Sequence, residues 1–267
     1  MEIASGDLQV VARVVQLLRL LAANETIDLV SASEQLGVGK STAHRYLASM
    51  ENHGLLQRRD RNHYEFGVLL AELGTMALSR LGVLDLAGPV MEEISVAVRH
   101  TVVLSVWNGH TPVVAQVRED RSRTAHVSIP VGNLLGPDAA QTLIFWAYRD
   151  QSYYRFRAGA PPVNATDAEL ADAVRTGIAV RMSRENGVGA VATPVKDPSG
   201  QVVATLAVVG IAQFLPEEID SPVARALLGA GTGGITEDAV RRHRRHAARA
   251  HQRQQLRERS PVAGLGQ

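Results

Sequence analysis

The sequence predicts an α+β protein with two domains. A chain of 267 residues is longer than one typical domain of roughly 100–200 residues. The first third carries three helical patterns and then a hairpin pattern, whereas the remainder mixes helical patterns with two further hairpins. We place the boundaries at residues 8–67 for the first domain, 68–84 for a linker helix, 85–240 for the second domain and 241–267 for a basic tail.

Three segments of the first domain have apolar residues at helical spacing. The first segment is residues 8–23, with a stripe made of Val11, Val14, Val15, Leu18 and Leu21. A short second helix is predicted at residues 31–36, where Gly37 is placed to end it. The third helix covers residues 40–52 and stops before Gly54. Its apolar face consists of Ala43, Tyr46, Leu47 and Met50.

A β-hairpin and a further helix follow these three segments. Residues 55–66 form two short extended runs around a polar tip, which is the pattern of a hairpin. Residues 69–81 are again helical in pattern. We expect this helix to link the two domains.

The second domain alternates hairpin and helix patterns. Residues 102–107 and 113–117 predict strands joined at Asn108-Gly109, a pair that favours the positive φ of tight turns. Residues 188–195 and 202–209 predict a second hairpin, rich in Val and Ala as in a buried sheet. Helices are predicted at residues 137–148, from the capping box Thr166–Glu169 to about Gly177, and after Ser221. An antiparallel sheet with peripheral helices is therefore expected.

Composition excludes several classes of protein. Hydrophobic residues make up 45% and charged residues 21%, values that are ordinary for a globular chain. The absence of cysteine excludes disulfides, Cys-ligated zinc, iron–sulfur clusters and thiol nucleophiles. The longest apolar stretch, residues 202–212, is well short of the about 20 residues of a membrane helix. Acidic Glu2 and Asp7, and no basic leader followed by an apolar run, predict a cytoplasmic protein.

Charge is distributed unevenly along the chain. Residues 1–83 have a net charge of −1, residues 84–240 have −5 and residues 241–267 have +7, which sum to the overall +1. The tail contains eight arginines and one glutamate, so it should repel itself and remain mobile without a polyanion. Either this tail adds affinity for DNA of any sequence, or it is a solvated segment without a function.

Two motifs imitate nucleotide sites without meeting their requirements. Residues 38–42, Val-Gly-Lys-Ser-Thr, resemble the end of a P-loop, but Glu34 stands where the first glycine is needed. Residues 229–234 match G-x-G-x-x-G but follow a helical run rather than a strand. Neither G-x-S-x-G nor H-E-x-x-H occurs. We therefore expect no enzyme activity, no cofactor and no metal site.

The three helices and the basic hairpin together predict a winged helix-turn-helix. In this arrangement the second helix of the turn enters the major groove, and its N-terminal residues reach base edges. Residues 40–63 hold five Lys or Arg against two acids, a net +3 in a domain of −1. The predicted DNA-binding residues are Lys40, Ser41, Thr42, His44 and Arg45 on the helix and Arg58, Arg59, Arg61 and Asn62 in the wing.

Several of these stretches resemble one known family. Residues 33–47 contain the pattern K-S-T-x-H-R-x-L, which is fairly specific, and residues 54–56 and 64–67 continue the likeness through the wing. Residues 192–197 and 200–204 resemble the second hairpin of the same family's ligand domain. Over about residues 8–228 the chain resembles the IclR family of bacterial transcription regulators. The resemblance implies a GAF-like effector-binding domain, and a homodimer or dimer of dimers that binds a palindromic operator in double-stranded DNA.

The resemblance also implies an effector pocket. Its residues here are Asp138, Ala139, Gln141, Glu185, Gly187 and Gly189. Where the family commonly has E-P-G-x-R-C, this chain has residues 185–190, and its usual arginine and cysteine are Gly189 and Ala190. Part of the expected acid-binding chemistry is therefore missing. Asp138 would favour a hydroxyl or amine over an anion if it faces the pocket, or it is the N-cap of the following helix.

A transcription regulator controlled by a small molecule is the predicted function. One alternative is an enzyme or sensor that uses the winged helix to bind another protein. Another is a nucleoid-type protein whose tail binds DNA without sequence preference.

Overall fold

The structure is a computed structural model that describes residues 8–79, 82–122, 126–152, 156, 162–183, 185–231 and 235. Contacts between residues divide the chain into two compact units, one ending at residue 81 and the other beginning at residue 82. The first unit combines helices with a small antiparallel sheet, and the second combines helices with a larger one. The predicted α+β class is confirmed.

The first unit has four helices and three short strands among its described residues. They are α1 (Gln9–Asn24), β1 (Ile27–Asp28), α2 (Leu29–Leu36), α3 (Lys40–Asn52), β2 (Leu56–Arg58), β3 (His63–Phe66) and α4 (Val68–Ser79). The strands form an antiparallel sheet in the order β1-β3-β2. Strand β1 was not predicted, because two residues are too few to show an alternating pattern.

Helix α2 begins two residues earlier than predicted. Its N-cap is Asp28, whose carboxylate accepts a hydrogen bond from the Ser31 N–H at 2.8 Å, while the Ser31 hydroxyl accepts one from the Asp28 N–H at 3.0 Å. The Ser31 N–H is the first cause of a lowered pKa at Asp28. The predicted end at Gly37 is confirmed by its left-handed conformation, φ +61°.

The predicted apolar stripe of α1 is partly wrong. Leu17 and Leu21 are the fully buried residues of this helix, and Leu17 was not part of the predicted stripe. Val11 and Val15 are 54% and 40% exposed. Both fully buried residues of α1 lie in its second half; from the first half, Val14 packs against the same cluster, whereas Val11 and Val15 do not.

The second unit is built on a five-stranded antiparallel sheet in the order β5-β4-β8-β7-β6. Its strands are β4 (Thr101–Trp107), β5 (Pro112–Arg118), β6 (Ala179–Met182), β7 (Val188–Lys196) and β8 (Val202–Ile211). Its helices are α5 (Val83–Val98), α6 (Ala140–Ala147), α7 (Asp167–Thr176) and α8 (Pro222–Gly229). Both predicted hairpins are present, as β4–β5 and β7–β8.

Opposite faces of this sheet carry different helices. Helix α6 packs with Val117 and Val103 in one buried cluster. Helix α5 lies on the other face, where its Gly88 approaches the side chains of Gln116 and Arg118. Strand residues alternate between the two faces. Strand β6 and helix α5 were not predicted; α5 contains Pro89, which sequence rules treat as a helix breaker.

Candidate nucleic-acid interface

The start of α3 presents the predicted recognition residues to solvent. Lys40, Ser41, His44 and Arg45 are exposed and Thr42 is half-buried. The opposite face of the helix holds the buried residues Ala43, Leu47 and Met50. Because the N-cap Gly39 has no side chain to bond the first N–H groups, this end of the helix also offers free backbone donors. Such an end can accept a phosphate or a base edge.

A contact between α1 and α3 was not predicted. The Arg13 guanidinium donates a hydrogen bond to the Tyr46 hydroxyl at 3.4 Å, and its carbon lies 5.9 Å from the centre of the Tyr46 ring. Tyr46 is on the apolar side of α3, as predicted, but it is only half-buried. Arg13 therefore covers the exposed edge of this ring, and no local pattern around Arg13 indicates that partner.

The tip of the wing is a closed turn. One oxygen of Asp60 accepts hydrogen bonds from the Asn62 and His63 N–H groups at 2.8 and 2.9 Å, and the carboxylate also contacts His63 Nδ1. The Asn62 N–H, followed by the His63 side chain, lowers the pKa of Asp60. These bonds leave the side chains of Arg59, Arg61 and Asn62 exposed at the tip.

The three wing arginines are not equivalent. The Arg58 guanidinium donates to Glu51 Oε1 at 3.0 Å and lies 5.0 Å from the centre of the Tyr64 ring. Among the described residues, no hydrogen bond or ion pair holds the side chain of Arg59 or Arg61. The two cations available for an external anion are therefore Arg59 and Arg61.

Replacing Arg59 and Arg61 together by alanine is expected to flatten the salt dependence of DNA binding. Each lost phosphate contact lowers the log–log slope by about 0.9 units, because fewer counterions are released. The slope is measured by fluorescence anisotropy between low and moderate salt. An unaltered slope would place the wing away from the phosphate backbone.

Two of the predicted effector residues near the start of α6, Asp138 and Gln141, have hydrogen-bond partners within the protein. Contrary to the N-cap interpretation, α6 is capped by Ala139 without a side-chain hydrogen bond. Asp138 instead accepts a hydrogen bond from Asn164 Nδ2 at 2.5 Å. Gln141 is buried, and its amide donates to the Ser105 hydroxyl at 2.9 Å with Thr205 Oγ1 at 3.3 Å. Gln141 therefore joins α6 to the sheet.

The remaining predicted effector residues do not lie with this group. Glu185 and Gly187 are exposed in the turn between β6 and β7. Gly189 faces away from α6, since its neighbour Ala190 packs in the cluster that contains α6. A Cβ at Gly189 would lie 2.3 Å from the Met182 sulfur, so a side chain there would require the Met182 side chain to move. The structure thus does not assemble these six residues around one pocket.

An arginine near Asp138 was missed by the sequence analysis. Arg181 donates to Glu169 Oε1 at 2.8 Å and to the Asn164 carbonyl at 3.2 Å, and Asn164 also holds Asp138. Thr166, through its backbone N–H and then its hydroxyl, and Arg181 hold the pKa of Glu169 below its ordinary value. No sequence motif connects Arg181 with Asp138, because three separate segments of the chain meet here.

An aromatic cluster in the second unit contains both tryptophans of the chain. Phe156 stacks on Trp107 at 4.1 Å between ring centres and meets Trp146 edge-on at 5.1 Å. The indole nitrogens of both tryptophans are buried and have no acceptor among the described residues. Beside Trp146, a groove of about 240 Å³ runs between the end of α6 and α7. None of the predicted effector residues lines it.

The described part of the chain has neither a membrane-spanning helix nor a cluster of metal ligands. No helix there has both the length and the apolar character needed to cross a membrane. No group of three His, Cys, Asp or Glu residues there could hold a metal ion. The basic tail at residues 241–267 and the second half of the glycine-rich motif, residues 232–234, lie outside the described residues.

Known proteins share the sequence around the exposed helix. The profile of the IclR helix-turn-helix domain matches residues 10–60. The HTH-type transcriptional regulator KipR of Bacillus subtilis is 24% identical over 221 residues, which are 78% of this chain and 88% of KipR. The chain carries an IclR helix-turn-helix domain and is similar to IclR-type transcription regulators over most of its length. This protein is therefore a DNA-binding regulator of transcription, as its sequence predicts.

Solved structures of IclR-type regulators share the fold of this chain. Pseudomonas aeruginosa HmgR is 27% identical with a TM-score of 0.64, covering 85% of this chain and 95% of HmgR. An IclR homolog from Microbacterium hydrocarbonoxydans, solved as a complex with 4-hydroxybenzoate, is 24% identical with a TM-score of 0.67. That similarity covers 85% of this chain and 97% of the homolog. The shared architecture therefore extends from the DNA-binding unit through the larger sheet.

Proposed function

We propose that the protein controls transcription by binding a palindromic operator as a homodimer or dimer of dimers, with its affinity set by a small molecule in the second unit. In this proposal the described unit that contains α3 and the wing reads DNA. The bases are contacted by Lys40, Ser41, Thr42, His44 and Arg45, and the phosphates by Arg59, Arg61 and Asn62.

The observation that carries the proposal is the pattern of exposure on α3 and the wing. Polar and cationic side chains occupy the solvent side of the helix start, and two unpaired arginines occupy the hairpin tip. A recognition helix needs donors at its N-terminal end for base edges, and a wing needs cations for phosphates.

The test is selection of duplexes from a random-sequence library, followed by competition against an unrelated duplex. We expect recovered duplexes to share an inverted repeat, and binding to exceed that of random DNA by at least about 10³-fold. Equal retention of all duplexes would favour the nucleoid-type alternative. Absence of any DNA retention would favour the use of the winged helix in protein interaction.

Self-association has structural support in α1. Leu8, Val11 and Val15 are 70%, 54% and 40% exposed and share one side of the helix. One winged helix buries too little surface for typical operator affinity, so two copies are needed to read two half-sites about one turn apart, or a multiple of that spacing. An exposed apolar row at this spacing suits a contact with a second α1.

At micromolar concentration, light scattering should give at least twice the chain mass of 28.7 kDa. Val11→Glu combined with Val15→Glu should weaken self-association, because it places charges on the apolar row. Val30→Glu, at an exposed valine of α2 (45% exposed), serves as the matched control and should leave the mass unchanged. A wild-type chain with the mass of a monomer would contradict the proposed assembly.

The two tryptophans of the second unit can report the binding of a small molecule. Buried donors without acceptors are rare in folded proteins, so the two indole N–H groups, which have no acceptor among the described residues, are consistent with a ligand or ordered water nearby. Because both tryptophans of the chain lie here, a change in tryptophan fluorescence, excited selectively so that Tyr46 and Tyr64 of the first unit do not contribute, reports on this unit alone. A screen combining fluorescence and thermal shift would begin with hydroxylated aromatic acids, since the Microbacterium homolog was solved with 4-hydroxybenzoate. A ligand found in this way should change operator affinity; one that leaves affinity unaltered is not the effector.

The prediction for the basic tail, residues 241–267, rests on its charge alone. Removal of residues 241–267 subtracts +7 from a net charge of +1 and leaves −6. If the tail contacts DNA, affinity for random DNA at low salt should fall steeply, while the ratio of specific to non-specific affinity should rise. Titration of full-length and truncated protein with random duplex measures this, and equal affinities would show that the tail has no such role.

A further inference from the structure

Arg58 connects three parts of the DNA-binding unit. Its Nε donates to Glu51 Oε1 at 3.0 Å and Oε2 at 3.3 Å, in the last turn of α3. Its Nη1 donates to the Arg61 carbonyl at 3.3 Å, at the wing tip. Its guanidinium carbon lies 5.0 Å from the ring centre of Tyr64, its cross-strand partner on β3. We call Glu51, Arg58 and Tyr64 the wing strap.

The wing strap is anchored on rigid parts of the unit. Tyr64 is only 4% exposed and belongs to the core cluster beneath α3. Glu51 lies at the C-terminal end of α3, where the helix dipole disfavours a negative charge. The last turn of α3 contains no basic residue to offset this charge. Arg58 offsets that charge. The strap therefore joins the end of the recognition helix to the core and to the wing.

A direct phosphate contact by Arg58 fits these contacts poorly. Its charge is already paired with a carboxylate, and two of its nitrogens already donate within the protein. The side chains of Arg58 and Glu51 are 45% and 31% exposed, and surface pairs of this kind add little to stability. Arg58 can instead affect DNA binding by setting the orientation of the wing.

We infer that Glu51 and Arg58 are positioning residues that hold the wing at a fixed angle to the recognition helix, so that Arg59 and Arg61 reach the phosphates while α3 lies in the groove. This inference rests on the DNA contacts proposed above for the wing. A fixed geometry lowers the entropy lost when two elements bind together.

The substitution Glu51→Ala distinguishes a positioning role from a phosphate contact by Arg58, because the two roles predict opposite changes in DNA affinity. The substitution removes a negative charge near DNA and frees the Arg58 guanidinium, so a phosphate-binding Arg58 would then bind DNA as tightly or more tightly. If Glu51 is a positioning residue, its loss should weaken binding by roughly threefold to thirtyfold, which lies within the range of coupling between residues of one network. Glu34→Ala, which removes an exposed acid of α2, is the matched control and should not weaken binding.

Two conservative variants and one double variant complete the design. Glu51→Gln retains an oxygen that accepts from Nε, so it should recover most of the affinity. Arg58→Lys keeps the charge but loses the planar fork, so it should weaken binding as Glu51→Ala does. The double variant Glu51→Ala with Arg58→Lys should be no weaker than either single variant, because both substitutions break one contact.

Anisotropy titrations would use the tightest duplex recovered from the random library and a random duplex of equal length. Circular dichroism of each variant checks that the unit is folded. Weaker binding by Glu51→Ala supports the strap, whether or not the salt slope also falls, and equal or tighter binding overturns it. If the Arg59 and Arg61 substitutions alter the slope while Glu51→Ala has no effect, only the strap fails. If neither has an effect, the proposed wing contacts fail as well.

Discussion

Arg45→Ala is expected to weaken operator binding by about 1–3 kcal/mol, which is the usual value of a bidentate base contact. Arg45 is exposed near the start of α3, on the side opposite the buried residues Ala43 and Leu47. A guanidinium at this position can place two donors on a guanine edge. The discrimination between operator and mutated operator should fall at the base pair that Arg45 contacts, while affinity for random DNA changes less.

The matched control is Arg19→Ala, which removes an exposed arginine of α1 in the same unit. Both variants change the net charge equally, so a loss confined to Arg45→Ala cannot come from charge alone. The unfolding free energy of both should stay within about 0.5 kcal/mol of wild type, since exposed substitutions rarely do more. A folded Arg45→Ala protein with wild-type operator affinity and specificity would remove Arg45 from the recognition surface.

Gly67→Ala should destabilise the DNA-binding unit by about 3 kcal/mol, the upper part of the range for overpacking. Gly67 joins β3 to α4, and its N–H donates to the Leu55 carbonyl at 3.0 Å. A Cβ there would lie 2.0 Å from the Gly54 carbonyl oxygen and 2.8 Å from the Leu55 carbonyl carbon. These are backbone atoms that cannot rotate aside, so the two chain segments must separate.

Two probes distinguish this effect from a general loss of stability. Both tryptophans lie in the second unit, so their fluorescence follows that unit, whereas circular dichroism follows the helices of both. Gly67→Ala should move part of the dichroism transition to lower urea and leave the fluorescence transition in place. Gly74→Ala is the control: its Cβ meets nothing within 4 Å inside α4, and the change should stabilise by about 0.4–1 kcal/mol. An unchanged dichroism transition for Gly67→Ala would show that the backbone at Gly54 and Leu55 moves away from the new Cβ without a cost in stability.

Local sequence patterns determined the secondary structure of the DNA-binding unit and the exposed face of α3. The bounds of α3, the hairpin and the ends at Gly37 and Gly54 follow from interactions between residues close in the chain. Hydrophobic spacing and turn chemistry act over one or two turns, so they can be recognised without a partner element. The same reasoning identified the capping box at Thr166 and both hairpins of the larger sheet.

Only the tertiary structure decided which of these side chains are free to act. Arg58 and Arg59 are adjacent in sequence, yet Glu51 and Tyr64 engage the first and nothing described engages the second. Asp138 is held by Asn164, and Gly189 faces the opposite side of the sheet from α6. These outcomes depend on which distant segments meet. Charge and hydrophobicity at one position determine what a side chain can bind, whereas the long-range packing of the backbone determines what it contacts.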